Sequence, residues 1–344
     1  MGMTPRRAAF RLVRSDVAQL GPLEVRPGED DGDVVVPVID VRGLHKTYGP
    51  VVAVDGLDLS VAPAEIFGVV GPNGAGKTTT VECITGLRVP DSGSIRVLGL
   101  DPQADRNEVR QRVGVQLQES AFPAKIRVRE VLELFGSFYR HSVNVPELVE
   151  SLGLAAHTDA YYRALSGGLK QRLSIALALV GAPEVTVLDE LTTGLDPHAR
   201  QQTWALIESV RGRGVTVVVV THSMEEAEQL CDRVAVIDHG RLVACGTPAE
   251  LREQGGGVTR MSFRPSGPFV DRLLTSLPDV TSVHRQGDRV VLTGTDEVVT
   301  DVILALNEAG IRARQVSVES SSLEQAFLTL TSEDSPPAST DDAS

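Results

Sequence analysis

Cysteine is scarce in this 344-residue chain, which has only Cys83, Cys231 and Cys245. They are scattered, odd in number and never in a CxxC spacing. That argues against a disulfide framework or a cysteine-based zinc site and fits reduced thiols in a cytosolic protein. Long apolar runs are also missing. Val215–Val220 is strand-sized and Leu173–Leu188 is interrupted by Pro183 and Glu184, so neither reaches the roughly twenty residues a membrane-crossing helix requires. The basic start, MGMTPRRAAFRLVRSD, lacks the sustained apolar stretch of a secretory leader. Any membrane role must therefore come through a partner. Positive charge is in short supply too: 33 Lys and Arg face 46 Asp and Glu, a formal net charge of −13. No nucleic-acid partner is expected from such a balance.

What is present divides the chain. Residues 1–36 turn from arginine-bearing to acidic without a clear period, and 332–344 are polar and proline-bearing; both read as disordered. Residues 37–252 alternate short β-branched runs with helical stretches, the pattern of an α/β fold around a largely parallel sheet. Ile66–Val70, Val185–Leu188, Thr216–Val220 and Val234–Ile237 are expected to be strands buried on both faces. Strand signals vanish over about 118–180, and Val131, Leu132, Phe135 and Phe138 share one helical face, which predicts a helical insertion. After Gly255-Gly-Gly257, residues 258–331 read as a separate small α+β unit. Its order is βαββαβ, the split-βαβ or ferredoxin-like arrangement, followed by a closing helix at Ser322–Leu330.

Three motifs carry chemistry. Gly71-Pro-Asn-Gly-Ala-Gly-Lys-Thr78 fits G-x-x-x-x-G-K-[ST]. Phosphates need several N–H donors on a tight inward curve, which glycine permits, and the helix that follows adds its positive end. In that pattern Gly71, Pro72, Asn73, Gly74, Ala75, Gly76 and Thr79 frame the phosphates. Lys77 reaches the β- and γ-phosphates, and the Thr78 hydroxyl coordinates Mg²⁺. Val185-Thr-Val-Leu-Asp-Glu190 ends a buried strand in two carboxylates. Asp189 is placed to hold Mg²⁺ and Glu190 to take a proton from attacking water. Leu165-Ser-Gly-Gly-Leu-Lys-Gln-Arg172 supplies, through Ser166, Gly167 and Gly168, a second helix N-terminus with free N–H groups. One nucleotide does not need two such devices from one subunit, which implies a site shared between two copies of the chain.

With these motifs in this order, residues 37–252 resemble the nucleotide-binding subunits of ABC transporters. The resemblance implies ATP and Mg²⁺ as ligands, ATP hydrolysis, a nucleotide-sandwich homodimer and a separate transmembrane permease subunit at the inner face of the membrane. Residue by residue, it implies that Tyr48 stacks on adenine and that Gln118 senses Mg²⁺ and couples to the membrane partner. The spacing from Gly114 and the following Glu119-Ser-Ala-Phe122 favour Gln118 over Gln116. It further implies that Gly194-Leu-Asp196 is a dimer-contact loop and that His222 is a switch touching the γ-phosphate. Leu169 and Leu191 depart from the family pattern, where glutamine and proline are usual. The last segment, with Ser322-Leu-Glu-Gln-Ala-Phe-Leu-Thr-Leu330, resembles the accessory domain of a drug- and antibiotic-exporting branch. A soluble ABC ATPase acting on ribosomes or DNA is the alternative, opposed by the single motor and the absence of sustained heptads. A P-loop kinase or GTPase is opposed by Ser166-Gly-Gly168 and His222.

Overall fold

The computed structural model describes residues 36–116, 122–255, 259–295, 297–319 and 322–332. The N-terminal extension up to residue 35, Gln118 and the tail from residue 333 lie outside the described residues.

The described residues begin with an antiparallel pair, β1 (Ile39–Tyr48) and β2 (Val51–Val61), extended by β4 (Ser92–Val97) in the order β2-β1-β4. A six-stranded sheet lies beside it, ordered β5-β6-β7-β3-β8-β9. Its strands are β3 (Ile66–Val70), β5 (Val113–Gln116), β6 (Val185–Asp189), β7 (Thr216–Thr221), β8 (Arg233–Asp238) and β9 (Arg241–Gly246). All neighbours are parallel except β9, which runs back along β8. The four expected strands are present as β3, β6, β7 and β8.

Alternation along these strands explains their unbroken apolar character. Ile66, Val70, Leu188, Val217, Val219, Val234 and Val236 point into one core, while Phe67, Val69, Val185, Val187, Val218, Val220, Ala235 and Ile237 point into another. Successive residues of a strand face opposite ways, so a sheet covered on both sides needs apolar residues at every position. The antiparallel layer covers the second face through Ile39, Val41, Leu57 and Leu59. That layer was not legible in the sequence, because bulges shift the β1–β2 register after Val41, Leu44 and Lys46 and break the period of two.

The helices of this region are α1 (Lys77–Ile84), α2 (Arg106–Arg112), α3 (Val128–Gly136), α4 (Val145–Ser151), α5 (Gly167–Leu179), α6 (Pro197–Arg211), α7 (Met224–Leu230) and α8 (Pro248–Gln254), of which α3 to α8 cover the first face. The first-face core is built with α3 to α8 and includes Val131, Leu132, Leu173, Ile175 and Ile207, whereas Val81, Ile84 and Val109 of α1 and α2 join the second. The helix expected around Phe138 stops at Gly136. Phe138 lies beyond it, exposed, with its ring edge-on to Phe135 at 5.7 Å.

Strand ends set the site. The register pairs Val70 with Thr221 and Asp189 with Val220. The loop from Gly71, the Asp189–Glu190 pair and His222 therefore leave the sheet at one carboxyl edge, where open α/β sheets bind ligands.

The last segment forms β10 (Thr259–Pro265), α9 (Arg272–Thr275), β11 (Val280–Gln286), β12 (Arg289–Gly294), α10 (Val298–Glu308) and β13 (Ala313–Glu319), then α11 (Leu323–Ser332). Its antiparallel sheet, β11-β12-β10-β13, has its own core of Met261, Phe263, Leu274, Val290, Leu292, Val298, Val302 and Leu306. α11 packs elsewhere, against α8 and α7, and Leu323 joins the core that holds Leu251. Phe263 is fully buried. Phe263→Ala is expected to lower stability by about 3–5 kcal/mol, read from urea unfolding curves.

Candidate nucleotide-binding site

The loop Gly71–Thr78 runs from the end of β3 into α1. Gly76 caps the helix at φ +100°, and a Cβ there would overlap the Ala53 carbonyl oxygen. A Cβ on Gly71 would overlap the carbonyl oxygen of Ile237 at the end of β8. Both positions need glycine because another backbone comes within a side chain's space. The loop is tied down by Ala75 N–H donating to Pro72 O (3.2 Å) and Gly240 N–H donating to Ala75 O (3.0 Å). Lys77 is buried, and its ammonium folds back to donate to the carbonyls of Gly71 (2.8 Å) and Pro72 (2.9 Å). Burial lowers the pKa of this ammonium, while the carboxylates of Glu190 and Asp189 act in the opposite direction.

The carboxylate pair closes β6. Asp189 is only 3% exposed. Burial, reinforced by Glu190 and opposed by Lys77, pushes its carboxyl up to about 6. Its backbone N–H donates to Gln116 Oε1 at 3.1 Å, so Gln116 braces the strand end from β5, a role that spacing alone did not reveal. Glu190 adopts φ +50°, a left-handed conformation that a non-glycine residue holds only when its surroundings fix it. Here its N–H donates to Val220 O at 2.9 Å and aims the side chain out of the sheet's edge. His222 Nδ1 lies 3.2 Å from Glu190 Oε1.

The structure brings Tyr48, Asn73, Gly74, Gly76, Lys77, Thr78, Thr79, Glu190 and His222 around one cavity of about 480 Å³, together with Ala53 of β2. Gly71, Pro72 and Ala75 form the loop beneath it, and Asp189 is buried beside Glu190. The Tyr48 ring stands at the cavity's edge with the Arg88 guanidinium 5.1 Å from its centre.

Ser166, Gly167, Gly168 and Asp196 are not in that cavity. They line a second one, of about 530 Å³, with Arg172 and Gln202 among its other walls. Ser166 caps α5 by accepting from Leu169 N–H (3.3 Å), and Asp196 caps α6 by accepting from His198 and Ala199 N–H (3.0 Å each). Arg172 spans this wall, donating to Leu152 O (2.9 Å) and Gln202 Oε1 (2.8 Å). The two cavities share no lining residue. Of the two departures from the family pattern, Leu191 is fully buried in the helix-side core and Leu169 packs against it.

Sequence reasoning missed Ala53, which reaches the loop because β2 packs against β9 and the Gly240 turn, and Arg172 and Gln202, which meet across two helices. Each is an unremarkable residue type without a local motif.

Comparison with known proteins bears on this geometry. A family model described as ABC transporter matches residues 54–193. The daunorubicin resistance ATP-binding protein DrrA3 of Streptomyces coeruleorubidus is 41% identical over 306 residues, 86% of this chain and 96% of its own. The daunorubicin/doxorubicin resistance ATP-binding protein DrrA of Streptomyces peucetius is 37% identical over 89% of this chain and 96% of its own. Nod factor export ATP-binding protein I of Rhizobium sp. (strain N33) is 39% identical over 85% and 96%. Among solved structures, an ATP-binding subunit of an ABC transporter aligns with a TM-score of 0.58 and 26% identity, covering 64% of this chain and 93% of that one. A glycine loop running from β3 into α1, a carboxylate pair at the same sheet edge and relatives matched nearly end to end make this chain a member of the ABC transporter family, an ATP-binding subunit of the kind that hydrolyses ATP.

Proposed function

We propose that the chain works as one half of a symmetric ATP motor that drives a separate membrane subunit. The observation that carries this reading is the separation of its two cavities. The loop of Gly71–Thr78 lines one, and Ser166–Gly168 with Asp196 line the other. Both present helix N-termini suited to anions. A nucleotide held by Lys77 in one copy meets the Ser166 loop only if a second copy brings it. Two such exchanges complete two sites across a two-fold axis.

Within a site, Tyr48 stacks on adenine while backbone N–H groups from Gly74 to Thr79 bind the phosphates. Lys77 then exchanges the Gly71 and Pro72 carbonyls for phosphate oxygens. The hydroxyl of Thr78 and the carboxylate of Asp189 are hard oxygen donors of the kind Mg²⁺ prefers. A buried carboxylate with a raised pKa is a group that gains from a nearby dication. Mg²⁺, when bound, neutralises phosphate charge; Gln118 is its third proposed contact. Glu190 accepts a proton from water, and His222, within hydrogen-bond reach of that carboxylate, orients it and touches the terminal phosphate.

The relatives' names speak of daunorubicin resistance and Nod factor export, which supports export of a hydrophobic small molecule over a role on ribosomes or DNA. No helix among the described residues is long and apolar enough to cross a membrane, in keeping with a cytoplasmic subunit held at the inner face by a permease. The region from Gln118 to Val180 is the proposed docking surface, with Leu134 and Phe138 exposed on it. Residues 37–252 are proposed as the motor and 258–331 as an accessory unit. The strand order β11-β12-β10-β13 supports a ferredoxin-like fold for that unit.

Glu190→Gln is expected to retain ATP binding and to accumulate as a dimer with MgATP in light scattering after size exclusion. Steady-state hydrolysis near the parent's rate would reject Glu190 as the base. Lys77→Ala is expected to weaken ATP binding by about a hundredfold or more, the loss of a charge-assisted contact in a water-excluded site; unchanged affinity by calorimetry would reject its role. For Asp189, the carboxyl sits near 6 in the folded chain against about 3.9 unfolded. Stability linked to it is therefore complete below about pH 4 and lost as pH rises through 6. Asp189→Asn is expected to unfold at higher denaturant than the parent near pH 8 without nucleotide, by about 2–3 kcal/mol. That advantage should vanish toward about pH 4, while Mg²⁺-dependent hydrolysis is lost.

A further inference from the structure

The chain's single tryptophan, Trp204, stands on α6 and donates its indole N–H to Glu226 Oε1 on α7 at 3.3 Å. Glu226 is 1% exposed, and its second oxygen, Oε2, has no hydrogen-bond partner among the described residues. A buried carboxyl group served by one neutral donor weakens a fold relative to an apolar side chain of the same size. Packing alone therefore does not account for a glutamate here; a buried polar pair is better suited to fixing the register of two elements.

Each of the two elements it joins carries a site residue at or beside its N-terminal end. α6 starts at Asp196, whose carboxylate caps it, and Trp204 lies about two turns further on. α7 starts immediately after His222: Ser223 caps it by accepting from the N–H of Glu226 itself (3.3 Å). Glu226 is thus bonded at its backbone to the turn beside His222 and at its side chain to the helix of Asp196. Arg200, one turn before Trp204 on the same face of α6, adds a parallel tie to Glu225 Oε2 at 2.6 Å. That pair is largely exposed on the Glu225 side, so water and salt weaken it more than the indole contact.

We propose that Trp204 and Glu226 are positioning residues that hold the His222 turn in fixed relation to the Asp196 helix. Engagement of Asp196 by a second copy thereby sets where His222 stands against Glu190. The inference rests on the shared-site reading above, in which Asp196 faces the partner and His222 acts at the nucleotide.

The test uses the full chain over a range of MgATP concentrations up to saturation. Trp204→Phe keeps the ring and removes the N–H, Glu226→Leu removes the acceptor, and Glu226→Gln retains an acceptor oxygen. The first two are expected to lower kcat about tenfold with KM for ATP changed less than twofold, and the double variant to be no slower than either. Glu226→Gln is expected to restore most of the rate. Unfolding midpoints for Glu226→Leu should equal or exceed the parent's, which separates positioning from loss of structure. As a second readout, MgATP added in the Glu190→Gln background should shift Trp204 emission, and Glu226→Leu should abolish that shift. His222→Ala is the reference. If it loses hydrolysis while Trp204→Phe and Glu226→Leu keep the parental kcat, the positioning role is overturned. If His222→Ala itself keeps hydrolysis, the reading of the site fails instead.

Discussion

Burial of the parallel sheet on both faces is the constraint from which the rest of the structure follows. With helices against one side and the β2-β1-β4 layer against the other, polar groups of the central strands have only the strand ends at which to meet a ligand. The carboxyl edge gathers the glycine loop after β3, the carboxylates after β6 and a histidine after β7. The pairing of Val70 with Thr221 and of Asp189 with Val220 brings these three strand ends level.

Charge then explains why the site is poised. A buried ammonium and a buried carboxyl group lie close together at that edge, each shifted toward its neutral form by burial. Neither is fully compensated by the other. Lys77 leans on the carbonyls of Gly71 and Pro72, and Asp189 sits beside the second carboxylate of Glu190. Strain adds to this: Glu190 is held at φ +50° by the strand beside it, so its carboxylate projects from the edge without a helix or strand of its own.

Much of this was legible in the residues. Four buried strands announced themselves because a doubly covered sheet tolerates no polar alternation, and the loop Gly71–Thr78 because its glycines answer a steric demand that few other residues meet. The early end of α3 was less legible. Phe138 continues the apolar period of α3 yet lies in the turn beyond the helix, where its ring meets Phe135 edge-on. The antiparallel layer was hidden by its own bulges.

The sequence by itself determined the local elements of the site: a glycine loop entering a helix, two carboxylates ending a buried strand, and a second helix N-terminus capped by Ser166. It could do so because each of these depends on local backbone geometry and residue type over a few positions. Only the tertiary structure decided that the two helix ends open onto separate cavities, that Gln116 braces Asp189, and that Trp204 meets Glu226. Those relations join residues 22 to 73 positions apart or more, and no local pattern records the packing of one helix or strand on another.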